Sequence, residues 1–306
     1  MLLAALLAAG CSDSRVPVGV APAPALASPD RVRFVALGDA GKGNKGQARV
    51  AAGVAKACAE RGCDLVVLLG DNLYPRGMEA DDDPHADERI AQMYAPVGAP
   101  VYLVLGNHDY AHGRSRAAAA RQIAWAGRTP GVELPANAWV GDFGPARVVG
   151  LDTNAVFQFG EDFQARWLRE QLDASDAPWK VVLGHHPFRS DGPHGNAGRY
   201  DGTRWVPWVS GSALRTLFDG SLCGADLYLA GHDHTRQLLE ACGTDLVVSG
   251  TGASATEIVD NGNHPRFAEA TLGAAWFELS ADGSGRVVFL DADGAEEAGF
   301  ELHAGG

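Results

Sequence analysis

The chain lacks an apolar run long enough to cross a bilayer, a block of basic residues, an internal repeat and a Cys-x-x-Cys pair. Each absence excludes something. The run MLLAALLAAG stops at Cys11, well short of the ~20 apolar residues that a membrane-spanning helix requires. Lys and Arg number 25 against 38 Asp and Glu, for a net charge of −13. With no basic stripe to neutralise phosphates, a duplex nucleic acid is excluded as a partner. A small anion could bind only where a site carries its own positive charge. The cysteine spacings do not fit a cysteine-based zinc site. The acidic run EADDDPHADE lacks the spacing of a calcium loop and reads as a solvated face ahead of a helix capped by Asp83.

What is present fits a soluble globular domain, with 46% hydrophobic residues and 39 glycines in 306 residues. The first eleven residues read as an export signal. LAAGC resembles a bacterial lipoprotein box, in which Cys11 is lipidated and becomes the new N-terminus. Residues 12–30, rich in Ala and Pro and without periodicity, read as a tether. Residues 31–303 read as a single domain. These features predict an exported protein, periplasmic or at the outer membrane or cell surface, whose contact with membrane is the lipid anchor alone; plain secretion and a cytoplasmic protein are the alternatives, and a monomer is expected. Four cysteines remain, an even number that in an exported chain points to disulfides. The local pairing is Cys58 with Cys63 and Cys223 with Cys242. The two other pairings, and four buried free thiols, are the alternatives.

Hydrophobic patterning alternates strands with helices. Strands are predicted at 31–38, 64–70 and 101–106, and helices at 46–60, 83–94 and 163–174. AWVGDFG and ARVVGLDT read as a hairpin, and the second half is β-rich. Five apolar strands end in glycine followed by polar groups: FVALGDAG, VVLLGDN, YLVLGNHD, VVLGHHP and LYLAGHDH. In α/β sheets ligands bind at the carboxyl ends of strands, and glycine lets the backbone turn sharply there. Packing does not explain carboxylates and imidazoles gathered at one rim, because buried charges need partners. A metal centre does.

The five ends resemble the metallophosphoesterase pattern D-x-G, G-D-x-x-Y, G-N-H-[DE], V-x-x-H, G-H-x-H. Here it stands as Asp39-Ala40-Gly41, Gly70-Asp71-Asn72-Leu73-Tyr74, Gly106-Asn107-His108-Asp109, Val182-Leu183-Gly184-His185 and Gly231-His232-Asp233-His234. More specifically, the chain resembles small purple acid phosphatases of the tartrate-resistant type. The resemblance implies an α/β fold built as a two-sheet β-sandwich flanked by helices (αββα), with the site at the strand ends. It implies two metal ions. One is held by Asp39, Asp71, Tyr74 and His234, the other by Asp71, Asn107, His185 and His232, with Asp71 as the bridge. Commoner metallophosphoesterases carry histidine at the position of Gly41 and no tyrosine in the second motif. Losing an imidazole and gaining a hard, anionic phenolate suits a trivalent ion, so the implied pair is Fe(III) plus a divalent ion (Fe, Zn or Mn).

The implied activity is hydrolysis of phosphate monoesters, a small phosphate ester being the substrate. Two metals 3.5–4 Å apart clamp an in-line phosphoryl displacement. His108 is the expected proton donor to the leaving group, with Asp109 either orienting it or standing as a solvated or capping acid, and His194 is expected at the substrate phosphate. His186, where mammalian relatives have tyrosine, contacts substrate or packs behind it. His85, His112, His264 and His303 read as surface histidines. The stretch after LDT is too short for the long loop that mammalian relatives have there, cleaved for activation. A phosphodiesterase or nucleotidase on the same scaffold is the alternative enzyme. A non-catalytic surface binding protein is the alternative from another class, and the intact set of ligand types argues against it.

Overall fold

Two sheets lie face to face in the computed structural model, which describes residues 17–112, 115–160, 163–199 and 207–305, and for 207–212 the backbone only. The expected signal segment with Cys11 and the start of the tether lie outside the described residues. Among the described residues, one sheet has seven strands. Its order is β15 (Glu296–His303), β14 (Ser284–Asp291), β13 (Gly273–Ser280), β2 (Arg31–Leu37), β3 (Leu65–Leu69), β4 (Val101–Val104) and β5 (Val132–Glu133). The other has eight: β1 (Val18–Val20), β6 (Ala138–Phe143), β7 (Ala146–Gly150), β8 (Trp179–Leu183), β9 (Leu227–Ala230), β11 (Thr244–Ser249), β10 (Arg236–Ala241) and β12 (Phe267–Glu269). β2, β3 and β4 run parallel, as do β7, β8 and β9. This places the five polar strand ends at one rim.

Side-chain alternation explains the layers. Along β7, Val148 joins the large core with Phe34, Val67 and Leu183, and Val149 faces a second core. That second core is covered by α6 (Phe163–Asp173), through Leu168 and Leu172, and by α7 (Pro207–Ser221), through Leu214, Leu217 and Phe218. α5 (Thr153–Phe159) packs beside α7. On the outer face of the seven-stranded sheet lies α1 (Lys45–Arg61), which buries Val50, Val54 and Ala57. Next to α1 runs a composite helix. It consists of α2 (Pro84–Ala86), a π-helical turn Asp87–Ala91 and α3 (Gln92–Tyr94). α4 (Arg116–Ala126) packs against it, with the Trp125 indole donating to Asp87 Oδ1 at 2.9 Å. The expected two-sheet sandwich flanked by helices is the observed fold.

One domain boundary needs correction. The tether expected over 12–30 belongs to the domain from Pro17 onward. β1 pairs in parallel with β6, and Ala21 N donates to Val140 O at 2.8 Å. The Tyr102 hydroxyl donates to Pro22 O at 2.7 Å, and Ala27 N to Asp64 Oδ1 at 2.8 Å. The segment is held through its backbone at a sheet edge, where neighbouring prolines are tolerated, so it carries no side-chain pattern to read. The local disulfides form, Cys58–Cys63 with Cα atoms 5.0 Å apart and Cys223–Cys242 with Cα atoms 5.5 Å apart.

Candidate metal centre

The centre is assembled from loops that leave both sheets at one rim. Asp39, Asp71 and Asn107 follow β2, β3 and β4, and His185 and His232 follow β8 and β9. Three of these loops turn through left-handed backbone at non-glycine residues: Asp39 at φ 57°, Asp71 at φ 53° and His232 at φ 69°. Such conformations persist only where the surroundings hold them, and they cluster at functional sites. Here the holding contacts run between loops. Asp39 N donates to Gly70 O at 3.0 Å, and His232 N to Asp39 Oδ2 at 2.8 Å. His108 N donates to Asp71 Oδ1 at 2.8 Å.

The seven residues of the expected ligand set come together in two groups that share Asp71. On one side, the Tyr74 hydroxyl lies 3.0 Å from both Asp39 Oδ1 and Asp71 Oδ2, and 3.3 Å from His234 Nε2. On the other, His185 Nε2 lies 3.0 Å from Asn107 Oδ1, 3.4 Å from Asp71 Oδ1 and 3.3 Å from His232 Nδ1. Asn107 Oδ1 is also 3.1 Å from His232 Nδ1. The two carboxyl oxygens of Asp71 therefore face different groups. Ligand atoms of Asp39, Asp71 and His185, all buried, lie within 4.8 Å of one another.

The donor set fits cations. His185 Nδ1 sits 2.9 Å from the Leu69 carbonyl, which can only accept, so a neutral ring presents Nε2 as a lone pair toward the other acceptors. His234 Nδ1 lies 2.9 Å from Ser254 Oγ, a hydroxyl that can donate or accept, and its Nε2 faces Asp39 and Tyr74. Acceptors converging on a buried space repel one another unless a cation lies among them. Burial, then Asp39 and Asp71, push the Tyr74 phenol far above its ordinary pKa, so without a cation it keeps its proton. Burial opposes a charged His185, but Asp71, Asp39 and the Leu69 carbonyl hold its pKa above normal. Burial, reinforced by His186, His185 and His194, drives His232 well below. For Asp39, burial raises the pKa, but His234, His185 and the His232 N–H together outweigh it and the net shift is downward.

Gly41 explains how Tyr74 reaches this place. A Cβ at Gly41 would lie 1.9 Å from Asn72 O and 2.5 Å from Leu73 N. The second motif's loop therefore occupies the space that any side chain at position 41 would need. Tyr74 N then donates to Gly41 O at 3.1 Å. In this chain Gly41 and the placement of Tyr74 are therefore sterically linked.

His108 and His194 both border the centre. His108 packs its ring 4.2 Å from that of Tyr74, with Nδ1 on Pro75 O at 2.7 Å and Nε2 3.8 Å from Asp71 Oδ2. His194 lies against His232, ring centroids 4.1 Å apart, and its Nδ1 meets Asp233 Oδ1 at 2.8 Å. The hydrogen bond to Asp233 holds the His194 pKa above its ordinary value.

Asp109 corrects an expectation. It makes its bonds to the loops rather than to His108, accepting from the backbone N–H groups of Asn72, Leu73 and Gly106 and from Asn72 Nδ2. Burial and then the nearby Asp71 push its pKa up to about 7. His186 is fully buried against the His232 ring, with Nδ1 on Thr153 Oγ1 at 2.9 Å, so it packs behind the centre. His85, His264 and His303 are exposed as expected. His112 is exposed too, but its ring stands edge-on to that of His108, centroids 4.4 Å apart.

Sequence reasoning assigned no role to Asp233, Thr153 or Ser254. Asp233 stands inside the quoted G-H-x-H motif, and its position between two histidines was a usable signal. Thr153, which accepts from the backbone N–H groups of His185 and His186, and Ser254 carried none.

Residues 32–236, more than half of the chain, match the model of the calcineurin-like phosphoesterases. The chain belongs to this family. Among relatives of this phosphoesterase, purple acid phosphatase 17 of Arabidopsis thaliana is 30% identical, over 73% of this chain and 69% of the relative. The tartrate-resistant acid phosphatase type 5 of Mus musculus is 29% identical, over 76% of this chain and 74% of the relative. The purple acid phosphatase PPD1 from yellow lupin shares the fold at 18% identity, with a TM-score of 0.68 over 92% of this chain and 55% of that one. The phosphoesterase is thus a metal-dependent enzyme of the purple acid phosphatase type.

Proposed function

We propose that this phosphoesterase hydrolyses phosphate monoesters at a dinuclear centre of one ferric and one divalent ion, the latter Fe, Zn or Mn. The observation that carries the reading is the division of Asp71. Its Oδ2 belongs to the group of Asp39, Tyr74 and His234, and its Oδ1 to the group of Asn107, His185 and His232. Bound in these groups, two ions would polarise the ester phosphate and activate water for in-line displacement. Tyr74 would supply a phenolate, a hard anionic donor suited to the trivalent ion, and would release its proton on binding.

The remaining steps fall to the two bordering histidines. Because His108 Nδ1 rests on a carbonyl, its Nε2 is the atom able to give a proton to the leaving alkoxide, which requires the doubly protonated ring. His194, backed by the Asp233 carboxylate, favours its cationic form and suits the substrate phosphate. The two disulfides support export, and with the LAAGC motif they support a lipid-anchored protein outside the cytoplasm.

The test compares turnover of phenyl phosphate with that of bis-phenyl phosphate. Faster monoester turnover is expected, whereas preferred diester turnover would make the protein a phosphodiesterase. For an ester with a poor leaving group, His108→Ala should lower kcat by about 10²–10⁴ with metal content unchanged. Unaltered kcat would remove His108 from the proton-donor role.

A further inference from the structure

The acidic run and helix at 79–94 stand outside the phosphatase motifs, yet they reach the first metal-binding group. The sequence over 83–94 reads as one helix, but the structure places a π-turn, Asp87–Ala91, in the middle, with Gln92 N bonded to Asp87 O. A π-turn re-aims its side chains, and such turns are frequent at functional sites. Arg89 lies in this turn. Its Nη1 donates to Tyr74 O at 2.8 Å and to Gly41 O at 3.2 Å. These two carbonyls belong to the pair of loops that must meet for the phenol to enter the centre.

Further bonds close the arrangement. The fully buried Gln47 donates through Nε2 to Arg89 O at 2.7 Å, and its Oε1 accepts from Gly43 N at 2.7 Å. Gly43 adopts φ 65°, and a Cβ there would lie 2.6 Å from Arg89 Nε. The first motif's loop therefore wraps the guanidinium, and Gln47 ties that loop to the π-turn. Trp125 anchors the turn from outside through Asp87.

We propose that Arg89 is a positioning residue for Tyr74, its guanidinium holding the Gly41 and Tyr74 carbonyls together so that the phenol stands between Asp39 and Asp71. The proposal rests on the reading of Tyr74 as a metal ligand. A planar guanidinium offers several donors in a fixed geometry. A lysine ammonium keeps the charge but holds the same two carbonyls less rigidly, and methionine keeps the packing without a donor.

The experiment measures metal affinity by chelator competition and the visible spectrum of the air-oxidised holoenzyme. It compares the native protein with Arg89→Met, Arg89→Lys, Tyr74→Phe and the double variant Arg89→Met/Tyr74→Phe. Arg89→Met should bind one of the two ions about 10–100-fold more weakly, the loss usual for a group that orients a ligand. Its tyrosinate band should shift and weaken per bound iron, with Arg89→Lys in between. The double variant should bind no more weakly than Tyr74→Phe alone, because both changes remove one interaction. Native affinity and band in Arg89→Met, or losses that add fully in the double variant, would overturn the proposal. Should Arg89→Met fail to fold, Arg89→Lys decides by the same two readouts. A colourless native holoenzyme would overturn the ferric reading instead, and the affinity cycle would still decide on Arg89.

Discussion

Asp39, Asp71 and His232 hold backbone conformations that non-glycine residues seldom adopt, at a cost of order 1–3 kcal/mol each. Their side chains are what the strain aims. Asp39 and Asp71 flank one phenol, and His232 turns toward Asn107 and His185. At this scale the decisive residue is one without a side chain. Gly41→Ala would drive a methyl into Asn72 O, so the loop bearing Tyr74 must retreat. Overpacking of this kind typically costs 1–3 kcal/mol. The variant should unfold at lower temperature and retain less metal by elemental analysis. Native midpoint and metal content would mean that the loop yields without moving the phenol.

At the scale of elements, the centre is built from strand ends tied by buried acids. Asp109 joins the loop after β3 to the loop after β4, with four donors on one carboxylate. An amide cannot accept at both of its ends, so Asp109→Asn should lose bonds on one loop and weaken metal affinity by about 10–100-fold. Chelator competition would check this, and unchanged affinity would reduce Asp109 to a packing role. The strands of the rim were readable because an apolar run ending in Gly and then Asp, Asn or His couples a buried period to an abrupt polar change. Other elements gave less to read. α4 is an alanine run, RAAAARQIAWA, without contrast between faces, and α5 spans only seven residues. β15 is an edge strand with mostly exposed or half-exposed side chains. β1 is held by backbone bonds, to which sequence periodicity is blind. The links made by Arg89, Asp109 and Ser254 were unreadable for a related reason. They join residues far apart in sequence, and no local pattern encodes them.

At the scale of the whole molecule, neither sheet holds the centre alone. Asp39, Asp71, Tyr74 and Asn107 come from loops of the seven-stranded sheet, and His185, His232 and His234 from loops of the eight-stranded one. Whatever fixes the two sheets relative to each other therefore fixes the spacing of these side chains. The disulfides staple each half separately. Cys58–Cys63 closes the exit of α1 onto β3, and Cys223–Cys242 joins the end of α7 to the turn between β10 and β11. By loop closure they contribute about 2 and about 3 kcal/mol respectively. Thermal unfolding with and without reductant should show a clearly lower midpoint for the reduced protein. Equal midpoints would show that the hydrophobic cores suffice.

The most direct test of the account is the visible absorption spectrum of the purified, air-oxidised, fully metallated protein, taken beside Tyr74→Phe. The account predicts a broad tyrosinate-to-ferric band in the native protein that disappears in the variant. A native protein that is metallated and active but colourless would contradict it, leaving a centre of divalent ions alone and Tyr74 without its assigned role.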